Sequence, residues 1–515
     1  MAHKVERTVK GNVYQYEEES YWDKEKKQPR KRSKYLGPKE KADTKKIKKA
    51  LSELVYQNYG NIFLLEEICK SIGLFEVIKD CYPDIYKEIL ALAYYEIIGE
   101  SKNYLFHHFQ DENYLKDVKT LYSSDISDLH QQLGYGQRTQ VDFFKKWIDK
   151  INPQEGIYYD ITSYSSYSTN NEFVEWGYNR DRENLPQINL GMVCCCKTGL
   201  PFFYNVFQGS IVDVQTIKNF IKHLAIYNLR KILLIMDRGF FSVSNIIELL
   251  NSDRNLSIII PLPFSLKLSK ELIVNNQDIK NTENMFKYND EILYHKVVPT
   301  KIKNKNNSVD VFAHIFFNEK AEVELRHQFY CKLFTYEAKI KQNTIKDEND
   351  FEIFVNQELP DSIKKYYYFD KTDNTVKRNE EKINEYLLKL GYFIVLTTEK
   401  ELSNEKVLSF YRDKDKLEKI FDVSKNELNT NRLHSHSKPA TEGRLLVKFF
   451  ATIIYQQITK IMRENDMFKK YSVTDMLKEL SKLKMYSIPG IENFTTECSK
   501  NNRDILKVFN LDMKQ

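Results

Sequence analysis

The chain has 515 residues, of which 42% are apolar and 29% charged, and its net charge is only +6. That length holds several domains and a large buried core, so a single small module is excluded. Seven cysteines at 69, 81, 194, 195, 196, 331 and 498 include no C-x-x-C pair, which argues for reduced thiols and against a secreted disulfide scaffold.

The first ten residues, Met1 to Lys10, are polar and carry no signal-peptide pattern, so a cytoplasmic protein is expected. VYQYEEESYWDKEKKQPRKRSKYLG, from Val13 to Gly37, alternates on both sides of a polar turn at Asp23 to Gln28, which predicts a β-hairpin with one very basic strand. That strand holds Arg30, Lys31, Arg32 and Lys34. The run Lys24 to Lys49 carries thirteen basic residues against three acids, a local +10 that leaves the remainder at −4. Such asymmetry suits a phosphate-binding arm, and it equally suits a solvated face in a Lys- and Asn-rich chain. From Lys45 to about Ile151 the pattern turns helical: NIFLLEEICKSIGLFEVI reads as two short helices broken at Ser71 and Gly73, followed by EILALAYYEIIG and VDFFKKWIDKI.

A strand-rich stretch comes next. Ile157 to Ser165, Ile188 to Cys196 and Pro201 to Gly209 are β-type runs, the last two joined by the turn KTG. Consecutive strand residues face opposite ways, so Cys194, Cys195 and Cys196 cannot converge on one zinc ion and read as small core residues. A helix near Val212 to Ala225, a buried strand at Ile232 to Met236, a helix at Val243 to Leu250 and a strand at Leu256 to Ile260 complete an α/β core. Residues 261–400 read as a β-rich insertion with one helix around Glu380 to Leu390. GYFIVLTT ends it, Ser403 is the expected N-cap, and a long polar helix runs from Asn404 to about Asn429. Leu445 to Met462 contains Lys448, Gln456, Gln457 and Lys460 and reads as a core helix, too short and polar to span a bilayer.

Two carboxylates stand where desolvation is costly. Asp160 lies inside an aromatic, β-branched strand, and Asp237 ends the apolar run ILLIM, with Gly239 permitting a sharp exit. At the carboxyl ends of central strands such a pair invites a divalent cation with oxygen ligands. A third acid is available on the polar helix: at about 100° per residue, Tyr411, Lys414, Glu418 and Lys425 form one stripe beside Leu417, Phe421 and Leu428. Read alone, that helix is an ordinary amphipathic one with i,i+4 charge pairs.

The interval Y, two residues, R, three residues, E, six residues, K is the signature of the Y-R-E-K group of DDE transposases from bacterial insertion sequences. Tyr411, Lys414, Glu418 and Lys425 match every interval, with Lys for Arg at 414. SYWDKEKKQPRKRSKYLG, YYDIT, GYNRDRENLPQINLGMV, GLPFFYNVFQGS and MDRGF also resemble that family, so the resemblance runs from Tyr21 to about Ile454. It implies an RNase H-like core interrupted by the β-rich insertion, with an N-terminal β-hairpin and helical DNA-binding region. The divisions are then 1–150, 151–260, 261–400, 401–465 and a C-terminal helical region at 466–515.

By the same resemblance Asp160, Asp237 and Glu418 form a catalytic triad for two Mg²⁺ ions, for which Mn²⁺ can substitute. Lys414 and Lys425 hold phosphates, and Tyr411 touches the DNA backbone. The implied partners are double-stranded DNA at element ends and target, bound by a homodimer in a synaptic complex, with no membrane. Arg238 is either a further DNA contact or a structural partner of a nearby acid, and Lys414 forgoes the bidentate fork of arginine. Two other readings stay open: a catalytically inactive or domesticated DNA-binding copy, and a metal-dependent nuclease without strand transfer. His434 and His436 form only an H-x-H and read as surface loop; Trp176 suits base stacking or core packing; Ser163 and Ser165 lack a paired histidine.

Overall fold

The structure is a computed structural model that describes residues 2–512 apart from 11, 40–53, 100–101, 169, 228, 252–254, 306, 429–431 and 489–490. Part of the basic run, residues 40–49, and the expected end of the polar helix at Asn429 lie outside the described residues. The chain divides into two compact units: 1–76, 84–126 and 457–515 form one, and 77–83 with 127–456 the other.

In the first unit the basic hairpin forms as expected, with β2 at Asn12–Asp23 and β3 at Gln28–Pro38, and gains a strand that the sequence pattern does not announce, β1 at His3–Val9. The register sets Glu17 opposite Lys34 and Glu19 opposite Arg32, while Lys31 approaches Glu18. The basic strand therefore carries its own acidic complement, which a charge tally along one run cannot reveal. A second small sheet has β16 (Lys484–Ser487) paired on one side with β4 (Val55–Asn58) and on the other with β17 (Phe494–Thr495), and the unit also holds the helices Gly60–Ser71, Tyr86–Ile98 and Val473–Leu480. The expected break between the first two helices falls at Gly73, whose φ of 76° ends one before Leu74–Cys81 begins.

The second unit is built on a nine-stranded sheet. Its first strands are β5 (Ile157–Ser165), β6 (Gln187–Cys195), β7 (Pro201–Gln208), β8 (Leu233–Met236) and β9 (Ser257–Pro261). Strands β5, β6 and β7 form an antiparallel meander; β8 lies parallel to β5, and β9 parallel to β8. β5 and β6 are buried along almost their whole length, as runs this apolar require. Cys194 and Cys195 are buried in β6 and, like all seven cysteines, unbridged.

Residues 261–400 differ from the β-rich expectation. They include β10 (Met285–Tyr288), β11 (Glu291–Lys303), β12 (Ser308–Phe317), a β13–β14 hairpin (Tyr367–Asp370, Thr375–Arg378) and β15 (Tyr392–Thr397), but also five α-helices among the described residues instead of one. The longest, Glu319–Gln342, is polar around most of its circumference, so it lacks the apolar stripe that would betray a helix in sequence. Phe329, Leu333, Phe354, Leu359, Ile363 and Tyr366 pack there as a separate small core. β15 pairs antiparallel with β9 and carries β12, β11 and β10 outward, so these strands continue the same sheet.

Ser403 caps the next helix, accepting from the Lys406 N–H at 3.3 Å. That helix is segmented: Asn404–Asp413, a turn at Lys414, Asp415–Asp422, then a π-helical turn at Val423–Glu427. Leu417, Phe421 and Leu428 are buried, as the angular reading expects. Lys438–Glu464 is longer than expected and passes for a membrane span by length and composition, yet 72% of its most apolar window is buried inside the fold, as a core helix is.

Candidate active site

Asp160 and Asp237 are brought side by side by strand register. Tyr159 of β5 is opposite Met236 of β8 in the parallel pair, and each aspartate is the next residue along. Tyr159 is fixed by stacking on Phe220 at 4.4 Å and by Phe240 at 5.3 Å, so the strand that presents Asp160 has little freedom. Asp237 begins a 3₁₀ turn, Arg238–Phe240. Gly239 there does not need glycine's backbone freedom, because its φ is ordinary and an added Cβ would meet only an Asp213 oxygen at 3.5 Å.

Both aspartates and Glu418 line one cavity of about 970 Å³. Seven carboxylates among the described residues line it: Asp160, Asp181, Glu183, Asp213, Asp237, Glu418 and Asp422. Four are held by cations: Asp237 by Lys414 at 2.6 Å, Asp181 by Lys425 at 2.6 Å, Glu183 by Arg432 at 3.2 Å, and Asp213 by Arg180. Among the described residues Asp160, Glu418 and Asp422 have no cationic partner. Burial, partly offset by the Ile161 N–H and reinforced by the charge of Asp237, pushes the Asp160 carboxyl up to about 7. At Asp237 burial works in the same direction, but the Lys414 hydrogen bond and charge prevail and hold its carboxyl below the usual range.

The all-oxygen donor set fits a hard divalent cation in kind, and a raised, half-buried aspartate is a group that a cation would stabilise. As placed, however, no three His, Cys, Asp or Glu side chains among the described residues group closely enough to hold an ion. Lys414 occupies Asp237, and Glu418 is exposed on its helix.

The remaining residues of the helical stripe have separate fates. Tyr411 stacks on Phe393 of β15 at 5.6 Å, and the Lys414 ammonium lies 5.9 Å from the Tyr411 ring. Lys425 is 8% exposed, pointed at Asp181 from the π-helical turn. Arg238 is exposed and makes no ion pair among the described residues. Arg30, Lys31, Arg32 and Lys34 are exposed on β3 in the other compact unit. Trp176 is 64% exposed, which removes core packing as its role; His434 and His436 are exposed and join no metal-binding group among the described residues. Ser163 and Ser165 are buried, bonded to Asn189 and Asn179.

Sequence patterns alone did not single out Arg180, Asp181, Glu183, Asp213, Asp422 and Arg432 as cavity residues. The signal within reach was Ser163, Ser165, Gln187 and Asn189, polar residues set opposite one another in two otherwise apolar strands.

Carboxylates on two adjacent parallel strands, Asp160 within β5 and Asp237 just past β8, lining one cavity with Glu418, have the chemistry of enzymes that act on phosphate esters with divalent metals. A family model described as the transposase DDE domain matches residues 151–454, and the chain belongs to that family. No curated protein matches it. Among solved structures it is similar to a piggyBac transposase, determined by cryo-EM as a synaptic complex with hairpin DNA. The TM-score is 0.34 and the identity 10%, over 82% of this chain and 69% of that one.

Proposed function

We propose that the protein is a DDE transposase of the Y-R-E-K group from a bacterial insertion sequence, which binds the terminal inverted repeats and catalyses metal-dependent cleavage and strand transfer. The observation that carries this reading is that Asp160 and Asp237, singled out as carboxylates in apolar strand runs, and Glu418, singled out by its interval on a helix, line one cavity. The β5–β6–β7 meander followed by parallel β8 and β9 supports an RNase H-like core. The small separate core between β12 and β15 supports an insertion ahead of the third acid.

In this reading Asp160, Asp237 and Glu418 hold the metal, and loading it requires the Lys414–Asp237 pair to open and Glu418 to move inward. Two bound Mg²⁺ ions, or Mn²⁺ in their place, would activate the attacking oxygen and stabilise the leaving one. Lys414, once released, is free to hold a phosphate beside the reacting one. Double-stranded DNA is the partner, gripped in part by the β3 arm, in a homodimeric synaptic complex in the cytoplasm.

The test is incubation with DNA carrying candidate element ends and Mg²⁺ or Mn²⁺, resolving nicked, hairpinned and joined products. Joined products are expected. Cutting without joining selects the nuclease, and binding without cutting the inactive copy. Asp160→Asn, Asp237→Asn and Glu418→Gln should each abolish cleavage and joining while leaving end binding nearly intact, because each removes a ligand charge and little DNA contact. A variant that still cleaves normally would remove its residue from the triad.

A further inference from the structure

Three residues of the β5–β6 connection, Arg180, Asp181 and Glu183, reach β5, the start of the helix Asp213–Ile226, the π-helical turn that follows the Glu418 segment, and Arg432 beyond it. The Arg180 guanidinium donates to Ser163 Oγ at 3.0 Å, three residues beyond Asp160 on β5, and to Asp213 at the start of the helix Asp213–Ile226. Asp181 accepts from Lys425 Nζ through both oxygens, at 2.9 and 2.6 Å, two turns beyond Glu418. Glu183 accepts from Arg432 at 3.2 Å, and Arg432 also donates to Tyr167 at 2.5 Å.

The segment is itself anchored. The Asp181 N–H donates to Asn179 Oδ1 at 2.9 Å, Asn179 donates to Ser165 Oγ at 3.0 Å, and the Ser166 N–H reaches Pro186 O at 2.9 Å. Lys425 is equally confined. Its side chain is 11% exposed, its ammonium lies 5.7 Å from the Tyr164 ring of β5, and the Tyr164 hydroxyl is 2.7 Å from Ser424 Oγ. An ammonium this enclosed, with a bidentate carboxylate partner, is poorly placed to reach a DNA phosphate, and leaving it unpaired would be costly. It also sits on a π-helical turn, a distortion that recurs at functional sites.

We infer that Arg180 and Asp181 form a strap that sets the separation of Asp160 and Glu418, with Lys425 as its anchor on the helix rather than as a phosphate ligand. This rests on the metal-site reading above and goes beyond it: the three are positioning residues, acting on the reaction through the two acids. Arg180 fixes the strap to β5, and the Asp181–Lys425 pair draws the helix toward the cavity. Without the pair the helix loses its registration against β5, and the carboxylates can no longer close on a common ion.

The experiment is Mn²⁺ binding to the full-length chain, followed by electron paramagnetic resonance without DNA, alongside duplex DNA binding over a salt series. Asp181→Asn is expected to weaken Mn²⁺ binding at least about tenfold and to leave the slope of log K against log salt unchanged. Asp181→Glu, which keeps the carboxylate, should recover most of that loss. Three results would overturn the strap: unchanged Mn²⁺ affinity in Asp181→Asn, equal defects in the Asn and Glu variants, or a slope reduced by about 0.9 in Lys425→Met with Mn²⁺ affinity intact, which would return Lys425 to phosphate binding. A wild-type chain that binds Mn²⁺ but neither cuts nor joins DNA would sink the transposase reading and leave the strap standing.

Discussion

Lys414 is the residue where the chain departs from the proposed Y-R-E-K motif, and it is ion-paired with Asp237. A guanidinium is a fixed planar fork, whereas an ammonium is a compact charge on a flexible stem, well suited to neutralising Asp237 and then leaving it. If Lys414 transfers from Asp237 to a phosphate as the site loads, its charge matters most when negative charge develops at the reacting phosphorus. Lys414→Ala should then slow single-turnover cleavage by roughly 100-fold while DNA affinity falls far less. Lys414→Arg should be tolerated. Lys419, exposed on the same helix and outside the cavity lining, is the control, and its alanine variant should cleave within about twofold of wild type. Equal behaviour of the Lys414 and Lys419 alanine variants would undo the motif assignment.

Elements in the core approach one another where side chains are absent. A Cβ on Gly443, within Lys438–Glu464, would lie 1.9 Å from the His130 carbonyl oxygen, and one on Gly134 would lie 1.9 Å from that of Pro439. The helices Ser123–Tyr135 and Lys438–Glu464 therefore meet backbone to backbone at two points, with His130 buried near Arg444 and Lys448 and its imidazole held neutral, its pKa lowered to about 3, by desolvation and those charges. Gly443→Ala has to push the helices apart and should cost about 1–3 kcal/mol, read as a lower denaturant midpoint at an unchanged m-value. Alanine's better helix propensity works the other way, so a neutral or stabilised variant would show that the crossing gives way easily. The same core helix carries Leu446, Phe450 and Ile454, all fully buried, which is why so apolar a segment belongs inside the fold.

At the scale of the whole molecule, the basic β3 strand and the acidic cavity belong to different compact units. The cavity of the second unit is rich in carboxylates, which oppose a polyanion, so in the proposed reading basic residues elsewhere on the chain add to the affinity. In the proposed reading the exposed β3 residues are one source. Replacing Arg30, Lys31, Arg32 and Lys34 together by alanine should flatten the slope of log K against log salt by up to about 3.6, at about 0.9 for each phosphate no longer neutralised. Because Glu17, Glu18 and Glu19 face that strand, a smaller change is expected wherever those acids already neutralise it. An unchanged slope would return the strand to a solvated surface.

Much of this was legible from one dimension. The strands Ile157–Ser165, Leu233–Met236 and Ser257–Pro261, the helix Val243–Leu250 and the Ser403 cap all follow from local patterns: continuous apolar runs, β-branched residues and a side-chain oxygen ahead of a helix. The three acids stood out because a carboxylate in an apolar run, or at a fixed interval on a helix, is visible without coordinates. What tertiary structure alone decided is who pairs with whom. Lys414 meets Asp237 across 177 positions and Lys425 meets Asp181 across 244, and no periodicity encodes contacts that strand register and helix docking create. The same holds for Glu17 to Glu19 against the basic strand, and for Glu319–Gln342, a helix whose polar surface carries no stripe and whose small core forms only when distant aromatic residues fold onto it. Local propensity acts over a few residues, whereas burial and charge pairing act through space, and it is these that turned a row of motifs into one cavity.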